Sequence, residues 1–210
     1  MKLARFWAPR KRRRCRGLAR DAGDILLARP GARAHGHVFW VGIVALGYLL
    51  SHPPSPLWFL APSLVLFAAL AIVVLFDIRY FLIPDDPVLL LLVVGLATNF
   101  ALDASLLPER LLAAAGAFAA LRLAAWAYCR WRGSEGLGAG DARLFALIGL
   151  WLGPAALPGC LFVAALSGLA SALIMLRAKG AGQAPLALPF GPHLALAFWL
   201  AWAVGPLEFG

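Results

Sequence analysis

Ten acidic residues in 210 are few enough to place one by one. Asp21 and Asp24 lie in an arginine-rich N-terminal stretch, Asp103, Glu109 and Glu208 near one end of the apolar segments, and Glu135 in a loop at the other. That leaves Asp77, Asp85, Asp86 and Asp141. Asp77 closes a 20-residue apolar run, Leu57–Phe76, and Asp141 directly follows the glycine-rich Gly136-Leu137-Gly138-Ala139-Gly140 and opens another apolar segment. Taken singly, the first is an ordinary boundary residue and the second an ordinary helix N-cap. The glycines argue for more, since they permit close backbone approach or a positive φ where another helix passes tightly. Ionisable groups at a membrane edge are expensive to desolvate, so a facing pair would share a proton. One carboxylate would then serve as base towards water and the other as acid towards a carbonyl oxygen, the chemistry of an aspartyl protease, with the protons belonging to the pair.

The elements that must position this pair are membrane spans. Hydrophobic residues make up 62% of the chain and charged residues 14%, with mean hydropathy +0.83. That is too little polar surface for a water-soluble globule, and three cysteines are too few for a disulfide scaffold. The expected fold is all-α, a polytopic integral membrane helical bundle of about six to seven transmembrane segments. The apolar runs are Val38–Leu50, Leu57–Phe76, Val88–Leu102, Leu107–Cys129, Ala142–Leu152, Gly159–Leu176 and Leu188–Val204. Ala142–Leu152 has only 11 residues, below the roughly 17–25 needed to cross hydrocarbon. It is expected to be half of a bent helix, re-entrant, or extended backwards into Gly140.

Charge orients the bundle. Eleven of the 19 Lys and Arg residues precede residue 37, making residues 1–36 a basic cytoplasmic tail and 37–210 the membrane-embedded domain. The net charge of +9 lacks the aromatic interleaving of a nucleic-acid module and suits contact with anionic lipid. With the N-terminus inside, Arg79, Arg130, Arg132, Arg143, Arg177 and Lys179 fall on the same side, giving 17 of 19 cations there. Arg110 and Arg122 are the exceptions. Arg122, inside a span, is expected to snorkel or pair with a carboxylate. Trp40, Trp58, Trp126, Trp131, Trp199 and Trp202 are expected as interfacial anchors, and Gly116 and Gly168 as sites of close helix packing.

The stretch from Gly136 to Leu144, running on to Gly149 and Gly153, resembles the second active-site block of type IV prepilin peptidases. Asp77-Ile78-Arg79-Tyr80-Phe81-Leu82-Ile83-Pro84-Asp85 is similar to their first block, and Leu188-Pro189-Phe190-Gly191-Pro192 to the block opening their last span. The 64 residues between Asp77 and Asp141 fit the family's spacing. The resemblance covers about residues 37–204. It implies an aspartic endopeptidase of the bacterial inner membrane that removes the short basic leader of type IV prepilins or type II secretion pseudopilins. Such an enzyme cuts after a glycine at the cytoplasmic face. By match, Asp77 and Asp141 are the catalytic pair, Gly138 and Gly140 shape the turn, Pro84 and Pro189 shape the neighbouring backbone, and Asp85, Arg143 and Gly191 support the site. Asp85 is the rival to Asp77.

Departures from the pattern narrow the expectation. Many members carry a cytoplasmic loop with two Cys-x-x-Cys pairs, a zinc arrangement associated with N-methylation of the new pilin N-terminus. Here Cys15, Cys129 and Cys160 stand apart, so no metal, no cofactor and no methyltransferase activity is expected. Arg143 stands where Lys is usual, and His193 where an apolar residue is usual. His35 and His37 read as solvated juxtamembrane residues. The competing functions are a presenilin-like or preflagellin-type protease and a non-catalytic membrane assembly factor. A transporter is disfavoured by the lack of internal repeats and of midplane charges.

Overall fold

The computed structural model describes residues 60–133, 136–179 and 188–204. The basic tail, the expected first span Val38–Leu50, and Cys15, His35, His37, Trp40, Trp58 and Glu135 lie outside them. The described residues are helical, with no strand among them: α1 (Leu60–Tyr80), α2 (Asp85–Asp103), a 3-10 turn (Ala104–Leu106), α3 (Leu107–Arg132), α4 (Ala139–Leu152), α5 (Ala156–Lys179) and α6 (Gly191–Val204). Leu60–Tyr80, Asp85–Arg132 and Ala156–Met175 are long and apolar enough to cross a membrane. Their outer faces carry Leu75, Leu89, Val93, Phe100, Leu112, Leu123, Phe162 and Leu169, all exposed. Large apolar groups facing outward on every long helix mark a membrane protein, whose solvent on those faces is lipid.

Local chemistry sets the boundaries. Phe81, in the left-handed region at φ 54°, ends α1 and gives its N–H to the Asp77 carbonyl at 2.9 Å. Pro84, extended at φ −67° and ψ 147°, is the N-cap of α2. Asp103 accepts bonds from the Ser105 N–H and hydroxyl, turning the chain at the end of α2. A proline in the first turn starts α3, and left-handed Gly133, φ 72°, stops it with an N–H bond to the Cys129 carbonyl. The stretch Asp85–Arg132 therefore folds back on itself. Asp85, at the start of α2, pairs with Arg143 near the start of α4, whereas Arg110, at the start of α3, meets the far end of α4 at the Trp151 carbonyl.

Of the three alternatives for the short segment, the backward extension is the one seen: α4 begins at Ala139 and holds 14 residues, about 21 Å of helix. It is the centre of the bundle, packed against α2, α3, α5 and α6. Leu144, Phe145, Leu147, Ile148, Leu150 and Trp151 are buried around its whole circumference. A helix that is apolar all round is a core element. At Gly149 the α3 backbone comes so close that a Cβ would stand 2.9 Å from the Ala113 carbonyl carbon.

Several outward-facing expectations are corrected. Trp199 is 3% exposed and packs edge-to-face on Phe67; Trp202 donates to the Ser63 hydroxyl and lies edge-on to Trp151. Trp199 is a core residue and Trp202 is half-buried against the core, because α6 is enclosed on its inner face by α1, α4 and α5. Trp126 and Trp131 are exposed as expected. Gly168 lies against the His193 ring, but Gly116 has no neighbour within 4 Å of a would-be Cβ. Arg122 is half-buried and pairs with no carboxylate among the described residues.

Arg110 stands at the end opposite the other arginines because α4 needs it. The last carbonyls of a helix have no intrahelical donor, and hydrocarbon offers none. Asn99, buried on α2, donates to the Gly95 carbonyl at 2.7 Å and the Leu150 carbonyl at 2.9 Å; its own amide oxygen accepts from Arg110. Arg110 also donates to the Trp151 carbonyl at 3.2 Å, and the Trp151 indole to the Leu91 carbonyl at 2.9 Å. Asn99→Leu strips this cap and leaves the guanidinium short of an acceptor. It is expected to lower stability by about 2–4 kcal/mol, against about 1 kcal/mol for Trp151→Phe, which removes a single bond. Thermal unfolding in detergent distinguishes the two, and equal losses would count against the cap.

Candidate active site

Asp77 sits in the last turn of α1 and Asp141 in the first turn of α4, and both are buried, 6% and 8% exposed. Asp77 Oδ2 accepts the N–H of Gly191, first residue of α6, at 2.9 Å. Asp141 Oδ2 accepts the N–H of Gly138, N-cap of its own helix, at 3.1 Å. Each carboxylate thus engages a helix N-terminus, where unpaired N–H groups and the helix dipole favour negative charge. The two carboxylates lie within electrostatic reach of each other. Among the described residues no group of His, Cys, Asp and Glu is arranged to hold a metal ion.

The glycines serve close approach. None of Gly136, Gly138 and Gly140 has a positive φ, so that half of the expectation is corrected. At Gly140 a Cβ would come 2.8 Å from Ile83 Cβ, and at Gly191 it would come 2.6 Å from Asp77 Oδ2. Only a residue without a side chain lets the α6 N-terminus reach the aspartate.

The remaining expected residues fall into two groups. Pro189 is buried just ahead of α6, and Pro84 starts α2 beside the buried Ile83. Asp85 and Arg143 form an ion pair on the exposed rim, with side chains 79% and 41% exposed. That separates Asp85 from the buried pair. Asp86 next to it is exposed and makes no ion pair among the described residues. His193 is fully buried in the first turn of α6, with Nδ1 3.1 Å from the Ser167 hydroxyl. That hydroxyl donates to the Ala164 carbonyl at 3.1 Å, so the imidazole Nδ1–H is the donor between them. Sequence reasoning passed over Ile83, although its place before a proline in the first block was a signal.

Arg79 and Arg143, each two residues past an aspartate, share this end of the bundle with Arg130 and Arg132 at the end of α3 and Arg177 at the end of α5. Fold and site together define a class: an all-helical membrane protein that brings two buried aspartates together at its arginine-rich end. The chain belongs to the type IV leader peptidase family, whose profile matches residues 64–173, just over half its length. It is similar to the prepilin leader peptidase/N-methyltransferase of Pectobacterium carotovorum, 39% identical over 150 residues, which are 70% of this chain and 52% of that protein. The proteins of the same description from Pseudomonas aeruginosa and Neisseria gonorrhoeae are 37% and 35% identical over 145 residues, covering 69% and 68% of this chain and 49% and 48% of theirs. The chain spans about half the length of these relatives. No solved structure matches it.

The glycine contacts differ in what they press upon. Ile83 Cβ is fixed to the backbone, so Gly140→Ala forces a backbone shift and is expected to destabilise by about 1–3 kcal/mol. Gly138→Ala meets only the Asp141 carboxylate oxygen at 3.2 Å, with ordinary φ −71°, and is expected to change stability far less. Unfolding midpoints in detergent check this, and the reverse order would contradict the packing described.

Proposed function

We propose that this protein is an aspartic endopeptidase that removes the leader of type IV prepilins or type II secretion pseudopilins at the cytoplasmic face of the bacterial inner membrane. The observation that carries the reading is the pair of buried aspartates, each held through one oxygen by a backbone N–H. With Oδ2 anchored, each Oδ1 is left to meet water or substrate. One carboxylate takes a proton from water as its oxygen bonds to the scissile carbonyl carbon, while the other, protonated, gives its proton to the carbonyl oxygen. Collapse of the tetrahedral species returns a proton to the leaving amine and breaks the C–N bond. The proton is shared by the pair throughout.

The relatives' names and the arginine-rich end support the substrate and the side of the membrane. Cations cluster on the cytoplasmic side of membrane proteins, and the aspartates share their end of the bundle. The N-terminus is then cytoplasmic, and the bundle has the six to seven spans that the apolar runs of the sequence suggest. The proposal covers leader cleavage alone; N-methylation is left out of it. The substrate's apolar helix lies among the spans, and its basic leader meets Asp86 on the rim, an exposed carboxylate with no ion pair among the described residues, whereas Asp85 is already matched by Arg143.

Prepilin cleavage in detergent micelles tests the assignment. Asp77→Asn and Asp141→Asn keep the N–H acceptor and remove the acid–base function. Each is expected to lose about 100-fold or more in kcat with an unchanged unfolding midpoint, whereas Asp85→Asn retains kcat. Normal cleavage by either catalytic variant would remove that residue from the mechanism. Gly191→Ala pushes the Asp77 carboxylate off its donor and is expected to cut kcat in protein that still folds. Asp86→Lys is expected to raise KM for a basic leader and leave kcat in place; an unchanged KM would remove Asp86 from leader recognition.

A further inference from the structure

The linker between α1 and α2 is four residues long, Phe81–Pro84, and only one of its side chains is buried. Phe81 and Leu82 are about half exposed, whereas Ile83 is 8% exposed. The backbone on both sides enforces this. Phe81, in the left-handed region, ends α1 abruptly, and Pro84 confines the residue before it to an extended conformation. Between these constraints the Ile83 side chain enters the bundle from the aspartate end.

It lands between the two segments that hold the carboxylates. On one side its Cβ, Cγ1 and Cδ1 lie 2.8–3.2 Å from the position a Cβ would take on Gly140, the residue before Asp141. On the other its Cδ1 lies 3.2 Å from the corresponding position on Gly191, the residue whose N–H holds Asp77. Both neighbours are glycine where the isoleucine presses, so the contact is side chain against bare backbone on both faces. Side chains can rotate away from such a wedge, but backbone cannot.

We propose that Ile83 is a positioning residue, the spacer that sets how closely the Asp141-bearing start of α4 and the Asp77-holding start of α6 approach one another. The proposal rests on the peptidase reading above and adds to it the element that sets the separation of the acid and the base. The β-branched shape suits the role, because it limits χ1 and gives the wedge a fixed width. The graded variants follow from the contacts. Ile83→Val removes Cδ1, which lies against both Gly191 and Gly140, and keeps the branched Cβ, the atom nearest Gly140. Ile83→Ala removes the wedge on both sides.

Two measurements on the full chain in detergent test this. In prepilin cleavage, Ile83→Val is expected to lower kcat several-fold and Ile83→Ala about 100-fold, the size of effect that a 1 Å misplacement of reacting groups produces. KM is expected to stay within twofold for both. A residue with only a packing role would lower the unfolding midpoint and leave the kcat of the folded fraction alone. A kcat within twofold of the wild type for Ile83→Ala overturns the proposal, as does a raised KM with intact kcat, which would make Ile83 a substrate contact. Ile83→Val, a loss of one methyl group, keeps the test open if the alanine variant does not fold. The second measurement needs no catalysis. In an Asp77→Cys, Asp141→Cys protein with Cys15, Cys129 and Cys160 replaced by serine, bis-methanethiosulfonate reagents of graded length report the separation of positions 77 and 141. Introducing Ile83→Ala, or Ile83→Val, is expected to change which lengths bridge the pair; an unchanged set overturns the spacer. A wild type that cuts no prepilin would refute the proposed function, and the bridging result would still decide the role of Ile83.

Discussion

Two carboxylate oxygens cap two short helices, and the arrangement of the bundle depends on those bonds. α4 and α6, each of 14 residues, begin differently, α4 at a partly exposed turn and α6 at the buried Gly191, and in both the first N–H groups have no partner within the helix. Asp141 closes the start of α4 through Gly138, and Asp77 closes the start of α6 through Gly191. The second bond joins α1 to α6 across 114 residues of chain. The same bonds orient the acids: once one oxygen of each is committed to a backbone donor, the direction of the other is set by the helices. Stability and chemical preorganisation thus draw on one interaction here, in a surrounding that strengthens it by excluding competing water.

The opposite end of α4 obeys the same constraint with different groups. Asn99 and Arg110 serve the Leu150 and Trp151 carbonyls, so the central helix is terminated by polar partners at both ends. A positive group at the C-terminus and a negative one at the N-terminus both run with the helix dipole. This explains why Arg110 stands against the overall charge asymmetry of the chain.

Much of the site was legible because its residues conflict with their surroundings. Asp77 and Asp141 stand out as ionisable groups at the ends of apolar runs, and Gly140 and Pro189–Gly191 as backbone devices beside them. Less of the fold was legible, for a physical reason. In a membrane bundle the outer face meets lipid and is as apolar as the core, so periodicity does not say which side of a helix is buried. Trp199 and Trp202 look like interfacial anchors by position, yet Trp199 fills the interior and Trp202 packs half-buried against it because α6 is enclosed. Ile83 is one isoleucine in a chain that is 62% hydrophobic, and only the glycines on either side of it give it a role. Asn99 and Arg110 were not assigned to each other because their partners are carbonyls, which leave no mark on the sequence.

The pairing of α3 with α4 also supplies a ruler. Ala113 faces Gly149, so in an antiparallel pair Asp141 stands level with Leu121, the last buried residue of α3. From there α3 continues to Arg132, about 16 Å higher at 1.5 Å per residue. Asp141 is sunk below the level of Arg132 by that depth. An extended peptide covers about 3.3 Å per residue. A substrate whose charged residue stays at the height of Arg132 therefore needs about five residues of unwound chain to bring a peptide bond down to Asp141. Under the proposed function, depth as well as side-chain identity selects which bond along a leader meets the aspartates.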